Sequence, residues 1–290
     1  MDAPFRHMHD LEEVVTADVT RALAEDLRGG DLTASLIPPM TRGHARVIVR
    51  EDGVIAGRAW FERCFTELDP DCEVFWHVED GEGVTENAQL CEITGNARAM
   101  LSAERAALNL LQTLSAIATT TRRFVTAAIG TKARILDTRK TLPGLRMASK
   151  YAVHVGGGHN HRIVLFDGIW IKENHILVAG GIAPALKAAF ALVQHQAPAD
   201  TMIEIEVESL DQLQEALAGG AKLILLDNMS NAQLREAVKI TNGRAELEAS
   251  GGVNLQTVHA IAETGVDRIS VGSLTKDIQA LDLSMRFTLH

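Results

Sequence analysis

Apolar residues recur at helical spacing over residues 11–27, and the run stops at Gly29 and Gly30. A helix is therefore predicted near the start of the chain. Short apolar runs separated by turn-forming residues follow it, which is typical of strands in a small sheet. These predicted strands cover residues 45–49, 54–56, 74–78 and 89–93. Together the elements predict an N-terminal α+β domain built around a small barrel or sandwich.

A long helix is predicted over residues 102–128, because Leu108, Leu111 and Leu114 fall on one face while Arg105 lies on another. Beyond it the pattern changes to alternating strands and helices. Strands are predicted over residues 133–136, 163–166, 169–171, 202–207, 223–226, 245–248 and 267–271. Amphipathic helices are predicted over residues 210–217, 232–240 and 255–263. This alternation is typical of β/α units.

Four successive predicted strands end in polar residues or glycine at a regular interval. These strand ends, Glu206, Asp227, Ser250 and the pair Val271-Gly272, are separated by 21, 23 and 21 residues. That period predicts a parallel α/β barrel, or part of one, whose ligands bind at the carboxyl ends of the strands. The predicted domains are an N-terminal α+β domain over residues 1–115 and an α/β barrel over residues 116–275. The tail alternates apolar and polar residues, so residues 276–290 are expected to return to the N-terminal domain.

Composition excludes several classes of protein. The 290 residues are 46% hydrophobic and 23% charged, which is ordinary for a soluble globular protein, and the longest uncharged stretch is too polar to span a bilayer. The first residues lack the basic start and apolar run of a secretory signal, so we expect a cytoplasmic protein. Cys64, Cys72 and Cys91 have neither disulfide nor zinc-ligand spacing, and buried reduced thiols are expected.

The charge is unevenly distributed. Residues 132–172 hold eight basic residues against two acids, whereas the rest of the chain carries a net charge of −16. One concentrated basic segment in an acidic protein favours a pocket for a small polyanion and disfavours nucleic-acid binding, which needs an extended basic face.

The basic residues of this segment follow predicted strands. Arg139 and Lys140 come directly after residues 133–136, and Lys172 follows residues 169–171. Between them, three glycines precede His161 and Arg162, so the backbone there can approach a ligand closely. These cations predict an anion-binding pocket.

Acids and glycines end the later strands. Glu206 and Asp227 suit ribose hydroxyls or a Mg²⁺ held mainly by a substrate phosphate, although both could instead cap neighbouring loops. Two glycine turns, one on each of two consecutive units, predict a phosphate cradle. The residues of this cradle are Ser250, Gly251, Gly252 and Gly272. A zinc site is disfavoured because the four nearby histidines lack zinc-ligand spacing and lie among cations: His154, His159, His161 and His175.

The ordered set of motifs resembles the quinolinate phosphoribosyltransferase family over nearly the whole chain. In the second half it comprises DTRKTLPGLR (137–146), KYAVHVGGGHNHR (150–162), IKENHI (171–176), LLDNM (225–229), EASGGV (248–253) and GVDRISVGSLT (265–275). In the first half it comprises AEDLRGGDLT (24–33) and SAERAALNLLQTLSAIAT (102–119). The resemblance implies an open α/β barrel with an N-terminal α+β domain that also takes up the C-terminal tail.

The resemblance also implies a reaction and roles for the residues. Members transfer phosphoribosyl from phosphoribosyl pyrophosphate to quinolinate with decarboxylation, use Mg²⁺, and form homodimers or hexamers with shared active sites. The quinolinate carboxylates would be bound by Arg139, His161, Arg162 and Lys172, with Arg105 entering from the partner subunit. Lys140 and Lys172 would face the phosphoribosyl donor, Glu206 and Asp227 would lie near the ribose and Mg²⁺, and the glycine turns would hold the 5-phosphate. At Lys276 many members carry histidine, and lysine keeps a cation there.

Two other functions stay open. A paralogous glycosyl transferase of the same fold could act on another aromatic acid, but the retained set of cations favours a dicarboxylate. A non-catalytic phosphometabolite-binding protein would not need Glu206 and Asp227 to support a leaving group.

Overall fold

The computed structural model describes residues 8–196, 198 and 201–289. The chain divides into two compact units: the first takes in residues up to 122, 141–157 and those from 274, and the second takes in 123–140 and 158–273. The predicted boundary at 115 falls inside one continuous helix. Residues 141–157 lie within the predicted barrel domain of residues 116–275 but belong to the first unit.

The elements of the first 127 residues are, in order, α1 (Met8–Leu27), a short 3-10 turn (Ala34–Leu36), β1 (Arg42–Val49), β2 (Gly53–Val54), α2 (Arg58–Leu68), β3 (Glu73–Trp76), β4 (Gly83–Val84), β5 (Gln89–Asn96) and α3 (Ala97–Ala127). The elements that follow are β6 (Arg134–Leu136), α4 (Arg146–Val155), β7 (Gly168–Ile171), α5 (Glu173–Ala179), α6 (Ile182–Gln196), β8 (Met202–Val207), α7 (Leu210–Ala218), β9 (Leu223–Asp227), α8 (Asn231–Thr241), β10 (Glu246–Ser250), α9 (Val258–Ala262), β11 (Arg268–Ser270), α10 (Ser273–Lys276) and β12 (Leu283–Leu289).

The first unit is built on a four-stranded antiparallel sheet in the order β12-β1-β5-β3. Side chains along β1 alternate between buried and more exposed positions, so one face of the strand lies against the core. The predicted return of the tail is confirmed, because β12 pairs with β1 along its length and places Met285 opposite Val47. The tail therefore completes the sheet of the first unit.

The predicted barrel or sandwich in this unit is wrong, and the helix α2 explains why. It buries Trp60, Phe61 and Phe65, and the Phe61 ring centre lies 5.3 Å from that of Trp76 in β3. A helix can cover an apolar sheet face as well as a second sheet can. The strands β2 and β4 form only a separate two-residue ladder.

The second unit contains the predicted parallel sheet, with six strands in the order β6-β11-β10-β9-β8-β7. The first four residues of β9 are all buried, as expected for a parallel strand covered on both faces. Residues 158–162 run along the free edge of β6 through a parallel bridge between Leu136 and His159. They also reach β7 at the opposite edge, where the Arg162 guanidinium donates to the Gly168 carbonyl at 3.1 Å. The β6 and β7 edges do not pair with each other but are bridged by this segment, so the second unit has the expected open α/β barrel.

One predicted strand is absent. The predicted strand over residues 163–166 gives way to a bend over residues 164–167, because the Asp167 carboxylate accepts the backbone N–H groups of Ile163 and Val164 at 2.6 and 3.2 Å. Leu165 and Phe166 in this bend are exposed. The strand was predicted because these residues are apolar, but they do not pair with any strand of the sheet.

The helices α7 and α8 begin where serine side chains cap them. Ser209 accepts from the N–H of Gln212, and Ser230 forms a capping box with Gln233. In the described ranges no single helix is long and apolar enough to cross a membrane. The pair α5 and α6 satisfies length and composition only when counted together, and it is bent by 94° at its break.

Candidate active site

The carboxyl ends of the parallel strands carry most of the predicted site residues. Because parallel strands end at the same edge of a sheet, these residues are brought to one rim of the barrel. Burial lowers the pKa of Arg162, and the charge of Arg139 lowers it further. Burial raises the pKa of Glu206, Lys172 lowers it and Asp227 raises it, so these side chains lie near one another. The residues at this rim are Arg139, Lys140, Lys172, Glu206, Asp227, Ser250 and Gly272.

Asp137 links the motif of residues 137–146 to the motif of residues 150–162 by hydrogen bonds. It is fully buried directly after β6, and its Oδ1 accepts the backbone N–H of His161 at 2.8 Å. Its Oδ2 accepts from the side-chain amide of Asn160 at 2.7 Å. A buried carboxylate that accepts two such donors fixes the backbone around it. The segments that carry Arg139 and Arg162 are therefore held in register, a role that sequence analysis did not assign to Asp137.

Trp170 on β7 forms a platform for two of the predicted cations. The Cζ atom of Arg162 lies 5.0 Å from the centre of its ring, and the Nζ atom of Lys172 lies 4.8 Å from it. Both distances are within the range of a cation–π interaction. The ring of His161 lies 4.8 Å away, centre to centre. Sequence analysis missed Trp170 because a tryptophan in an apolar strand gives no signal beyond burial.

His161 is buried beside two acids that sequence analysis also missed. Its Nε2 lies 2.8 Å from Oε2 of Glu204 and 3.8 Å from Oε1 of Glu248, and all three side chains are almost wholly buried. Burial raises the pKa of each carboxyl to about 7. A signal was present, because Glu204 precedes Glu206 by two residues and Glu248 precedes Ser250 by two. Residues two apart point to the same face of a strand.

Glu206 and Asp227 form an acidic pair at the ends of neighbouring strands. Burial raises the pKa of Glu206, the positive charge of Lys172 opposes that rise, and the negative charge of Asp227 adds to it. Asp227 accepts from the side chain of Asn228 at 2.7 Å. Two neighbouring carboxylates can accept hydrogen bonds from the hydroxyl groups of a ligand, or bind a cation that the ligand brings with it.

The glycine turn after β10 is tightly constrained. Gly251 has φ +101°, and a Cβ atom there would lie 2.1 Å from Oδ1 of Asn228. Gly252 has φ +60° but faces open space. The turn therefore requires glycine at its first position both for conformation and for space.

The glycine after β11 lies under a predicted catalytic residue. A Cβ atom on Gly272 would lie 3.2 Å from Cδ and 3.8 Å from Nζ of Lys140. The Lys140 side chain thus crosses directly over the Gly272 backbone. Lys140, predicted to face the phosphoribosyl donor, and Gly272, predicted to belong to the phosphate cradle, are therefore neighbours although they are far apart in sequence.

The first of the three glycines before His161, Gly156, packs closely against α3. A Cβ atom on Gly156 would lie 2.6 Å from the carbonyl oxygen of Ala118 in α3. The Gly156 carbonyl accepts from the Arg122 guanidinium at 2.9 Å. This glycine allows two segments of the first unit to pack closely.

Arg105 and Lys276 belong to the first compact unit, whereas the rim residues belong to the second. Arg105 is exposed on α3 in the first compact unit. Lys276 is exposed at the end of α10, with its Nζ 3.4 Å from the Asp277 carboxylate.

The histidines that suggested zinc are used in other ways. His154 is exposed on α4, and His175 accepts the backbone N–H of Lys172 through Nδ1 at 3.0 Å. Among the described residues, the one group with ligand atoms close enough for a metal is His161 with Glu204 and Glu248. None of the other three histidines contributes to it.

Family models match both parts of the chain. The N-terminal domain of quinolinate phosphoribosyl transferase matches residues 31–115, and its C-terminal domain matches residues 117–286. Together the two matches span most of the chain in the order that the family requires.

Whole-chain comparisons agree with the family models. The chain is 42% identical over 265 residues to a probable nicotinate-nucleotide pyrophosphorylase (carboxylating) of Bacillus subtilis strain 168, covering 91% of this chain and 90% of that protein. It is 41% identical over 300 residues to a mitochondrial quinolinate phosphoribosyltransferase (decarboxylating) of Nicotiana tabacum, covering 98% and 84%. A nicotinate-nucleotide pyrophosphorylase structure from Francisella tularensis superposes with a TM-score of 0.91 at 43% identity, covering 96% and 97%. The chain is an enzyme that belongs to the quinolinate phosphoribosyltransferase family.

Proposed function

We propose that the carboxyl rim of the barrel holds quinolinate beside phosphoribosyl pyrophosphate and converts them to nicotinate mononucleotide, pyrophosphate and CO₂ in de novo NAD biosynthesis. The observation that carries this proposal is the gathering of Arg139, Arg162 and Lys172 at the rim that also holds Glu206 and Asp227. A dicarboxylate and a pyrophosphate bring several negative charges together. Fixed cations around them offset that repulsion.

The reaction needs no protein nucleophile. The pyridine nitrogen forms a bond to the anomeric carbon while the bond from that carbon to the pyrophosphate oxygen breaks. The bond to the adjacent carboxylate then breaks and CO₂ leaves. The electron pair stays on the ring carbon, where the cationic ring nitrogen stabilises it until solvent supplies a proton. The protein contributes position and charge: Arg139 and Arg162 hold the carboxylates, and Lys140 and Lys172 face the leaving pyrophosphate.

Mg²⁺ fits the acidic pair. Glu206 and Asp227 offer the oxygen ligands that this ion prefers. Burial raises the pKa of Glu206 and the charge of Asp227 adds to that rise, so a bound cation would stabilise the ionised pair. The ion would be held mainly by the substrate phosphates, with the two carboxylates beside it. When bound, it would stabilise negative charge on the departing pyrophosphate.

The site is shared between subunits in this proposal. Arg105 is exposed on α3 in the compact unit that does not contain the rim cluster. By similarity to the family it reaches the quinolinate of the partner subunit, in a homodimer or a hexamer built from dimers. A symmetric pair of subunits then carries two equivalent sites.

A cytoplasmic location is part of the proposal. Cys64, Cys72 and Cys91 are all free and buried, and burial raises the pKa of each thiol. Unpaired thiols are typical of a reducing compartment.

The test is release of CO₂ and pyrophosphate from quinolinate, phosphoribosyl pyrophosphate and Mg²⁺. We expect equal amounts of the two products, and no comparable reaction with nicotinate, which lacks the second carboxylate. Arg162→Ala should abolish the reaction. Arg134→Ala is a matched control, because Arg134 lies at the opposite end of β6, paired with Glu246 at 2.9 Å. Absence of CO₂ release, or equal use of nicotinate, would refute the assignment.

A further inference from the structure

Both ring nitrogens of His161 are engaged inside the protein. The backbone N–H of Arg162 donates to Nδ1 at 2.8 Å. A ring nitrogen that accepts a hydrogen bond carries no proton, so the proton of the neutral ring is on Nε2. That nitrogen lies 2.8 Å from Oε2 of Glu204, to which it donates.

The protonated, cationic form of the ring does not fit this arrangement. A proton on Nδ1 would face the N–H of Arg162, and two donors would then point at each other. Arg162 also places a positive charge nearby, whereas Glu204 and Glu248 place carboxyls on the other side. His161 is therefore held as a neutral ring with one fixed tautomer.

We propose that His161 is a positioning residue: its Nδ1 holds the Arg162 backbone, and Glu204 fixes its tautomer. Arg162, and not His161, then binds the quinolinate carboxylate. This proposal rests on the proposed function. It assigns a role to Glu204 and changes the role implied for His161 by the family resemblance. The ring has no donor left to offer to a carboxylate.

The surroundings of Arg162 agree with such positioning. Its backbone N–H is held by His161, its guanidinium donates to the Gly168 carbonyl at 3.1 Å, and its Cζ lies over Trp170. Asp137 holds the backbone N–H of the preceding residue at 2.8 Å. An arginine fixed at both ends loses little conformational entropy when it binds a carboxylate.

Glu248 completes the acid side of the cluster. It is fully buried, and its Oε1 lies 3.8 Å from Nε2 of His161. Of the two carboxyls that face Nε2, only that of Glu204 lies at hydrogen-bond distance, so Glu204 is the acceptor for His161. A metal ion in this group would need the same Nε2 that donates to Glu204.

Two substitutions of His161 separate positioning from direct binding. His161→Asn keeps an oxygen near the place of Nδ1 and can still accept the Arg162 N–H, but it loses the donor at Nε2. His161→Gln keeps a donor near the place of Nε2 and loses the acceptor. We expect the quinolinate KM to change by less than about threefold in His161→Asn and to rise by about tenfold or more in His161→Gln. The KM for phosphoribosyl pyrophosphate should stay unchanged in both.

The reverse order, with His161→Gln the milder variant, would overturn the proposal, because it would mean that a donor at Nε2 reaches the substrate. Nitrogen NMR of histidine-labelled wild-type enzyme gives a second measurement that needs no variant to be active. The His161 signals, identified by their loss in the spectrum of His161→Asn, should show a proton on Nε2 and none on Nδ1, with and without quinolinate. A proton on Nδ1, or a new partner for Nε2 when quinolinate binds, contradicts the proposal.

Failure of the proposed function gives a different result. Wild-type enzyme would then release no CO₂ from quinolinate, while the tautomer of His161 in the free enzyme could still be measured. Active wild type with the wrong tautomer, or with the reverse order of variants, refutes only the role of His161.

Discussion

The Asp137 carboxylate accepts the backbone N–H of His161, 24 residues further along the chain, at 2.8 Å. This bond joins the end of β6 to the segment that closes the barrel. It also fixes how close Arg139 and Arg162 can lie, and burial together with the charge of Arg139 lowers the pKa of the Arg162 guanidinium. The enzyme thus holds two like charges together before its dianionic substrate binds, which is electrostatic preorganisation.

Asp137→Asn should weaken both folding and quinolinate binding. The amide can accept through one oxygen only, while its NH₂ group faces the donors of His161 and Asn160. We expect the free energy of unfolding to fall by about 1–3 kcal/mol and the quinolinate KM to rise by about tenfold or more. Urea denaturation and steady-state kinetics measure the two effects.

Asp167→Asn is the matched control for that variant. Asp167 also accepts two backbone N–H groups, those of Ile163 and Val164, but it is exposed at the end of the bend of residues 164–167. It should change the quinolinate KM far less. Equal effects of the two variants would show that Asp137 has no special role at the site.

The sequence pattern predicted those parts of the fold that depend on the arrangement of residues within single elements. The β/α rhythm of the second unit and the pairing of β12 followed from buried runs and alternation along single strands. Helix α2 was missed although Trp60, Phe61, Cys64 and Phe65 fall at helical spacing, because short strand-like runs on either side suggested a strand region. Tertiary packing decides such ambiguous segments.

The site was predictable only in part for a related reason. Charged residues that follow strands are visible in the sequence, so the rim cations and acids were found. The bond from His161 to Glu204 joins residues 43 apart, and the Trp170 platform is made by side chains from two segments. Only the fold brings these groups together, and no spacing rule specifies them.

Glu206→Gln should shift the dependence of activity on Mg²⁺. The amide removes one carboxylate charge from the acidic pair, so the concentration of Mg²⁺ for half-maximal activity should rise about 10- to 100-fold. Chelation of Mg²⁺ should abolish pyrophosphate release in wild type, and added Mg²⁺ should restore it. Glu208→Gln, an exposed residue two positions further on, should keep the wild-type curve. An unchanged curve in Glu206→Gln would remove Glu206 from the metal site.

Stability should depend on pH through the buried acids. Burial raises the pKa of Glu248 from 4.5 to about 7 and that of Glu204 likewise, so the folded state keeps protons that the unfolded chain has released. The folded state binds more protons across this window, and the free energy of unfolding therefore falls as the pH rises from 4.5 to about 7.

Glu248→Gln tests this dependence, because glutamine has a similar shape and does not titrate. The difference in free energy of unfolding between Glu248→Gln and wild type should shift in favour of the variant by on the order of 1 kcal/mol when the pH is raised from 5 to 8. Urea denaturation at the two pH values gives the difference. Glu236→Gln, exposed on α8, should show no such gain. A Glu248→Gln effect that is the same at both pH values would mean that the buried carboxyls do not titrate in this range.

Mixing two inactive variants should restore activity if the site is shared. Arg105→Ala and Arg139→Ala subunits form heterodimers in which one site lacks both arginines and the other is intact. Random exchange should restore roughly a quarter of wild-type activity, and complete heterodimer formation about half. Mixing Arg139→Ala with Arg162→Ala, both from the same unit, is the control and should restore nothing. No recovery despite confirmed subunit exchange would place Arg105 in its own subunit's site or outside the site.

Gly251→Ala should damage the proposed phosphate cradle, whereas Gly252→Ala should be tolerated. Both glycines have positive φ, so alanine strains the backbone at either position by about 1 kcal/mol. Only at Gly251 does the added methyl group meet another atom, Oδ1 of Asn228 at 2.1 Å, and Asn228 in turn donates to Asp227. The clash therefore displaces the turn and disturbs the acidic pair together. We expect the KM for phosphoribosyl pyrophosphate to rise by about tenfold or more in Gly251→Ala and to change by less than about threefold in Gly252→Ala. Backbone strain should lower thermal stability in both variants, and the clash should add to the loss in Gly251→Ala. Equal kinetic effects in the two variants would mean that backbone strain alone, and not the fit against Asn228, governs the cradle.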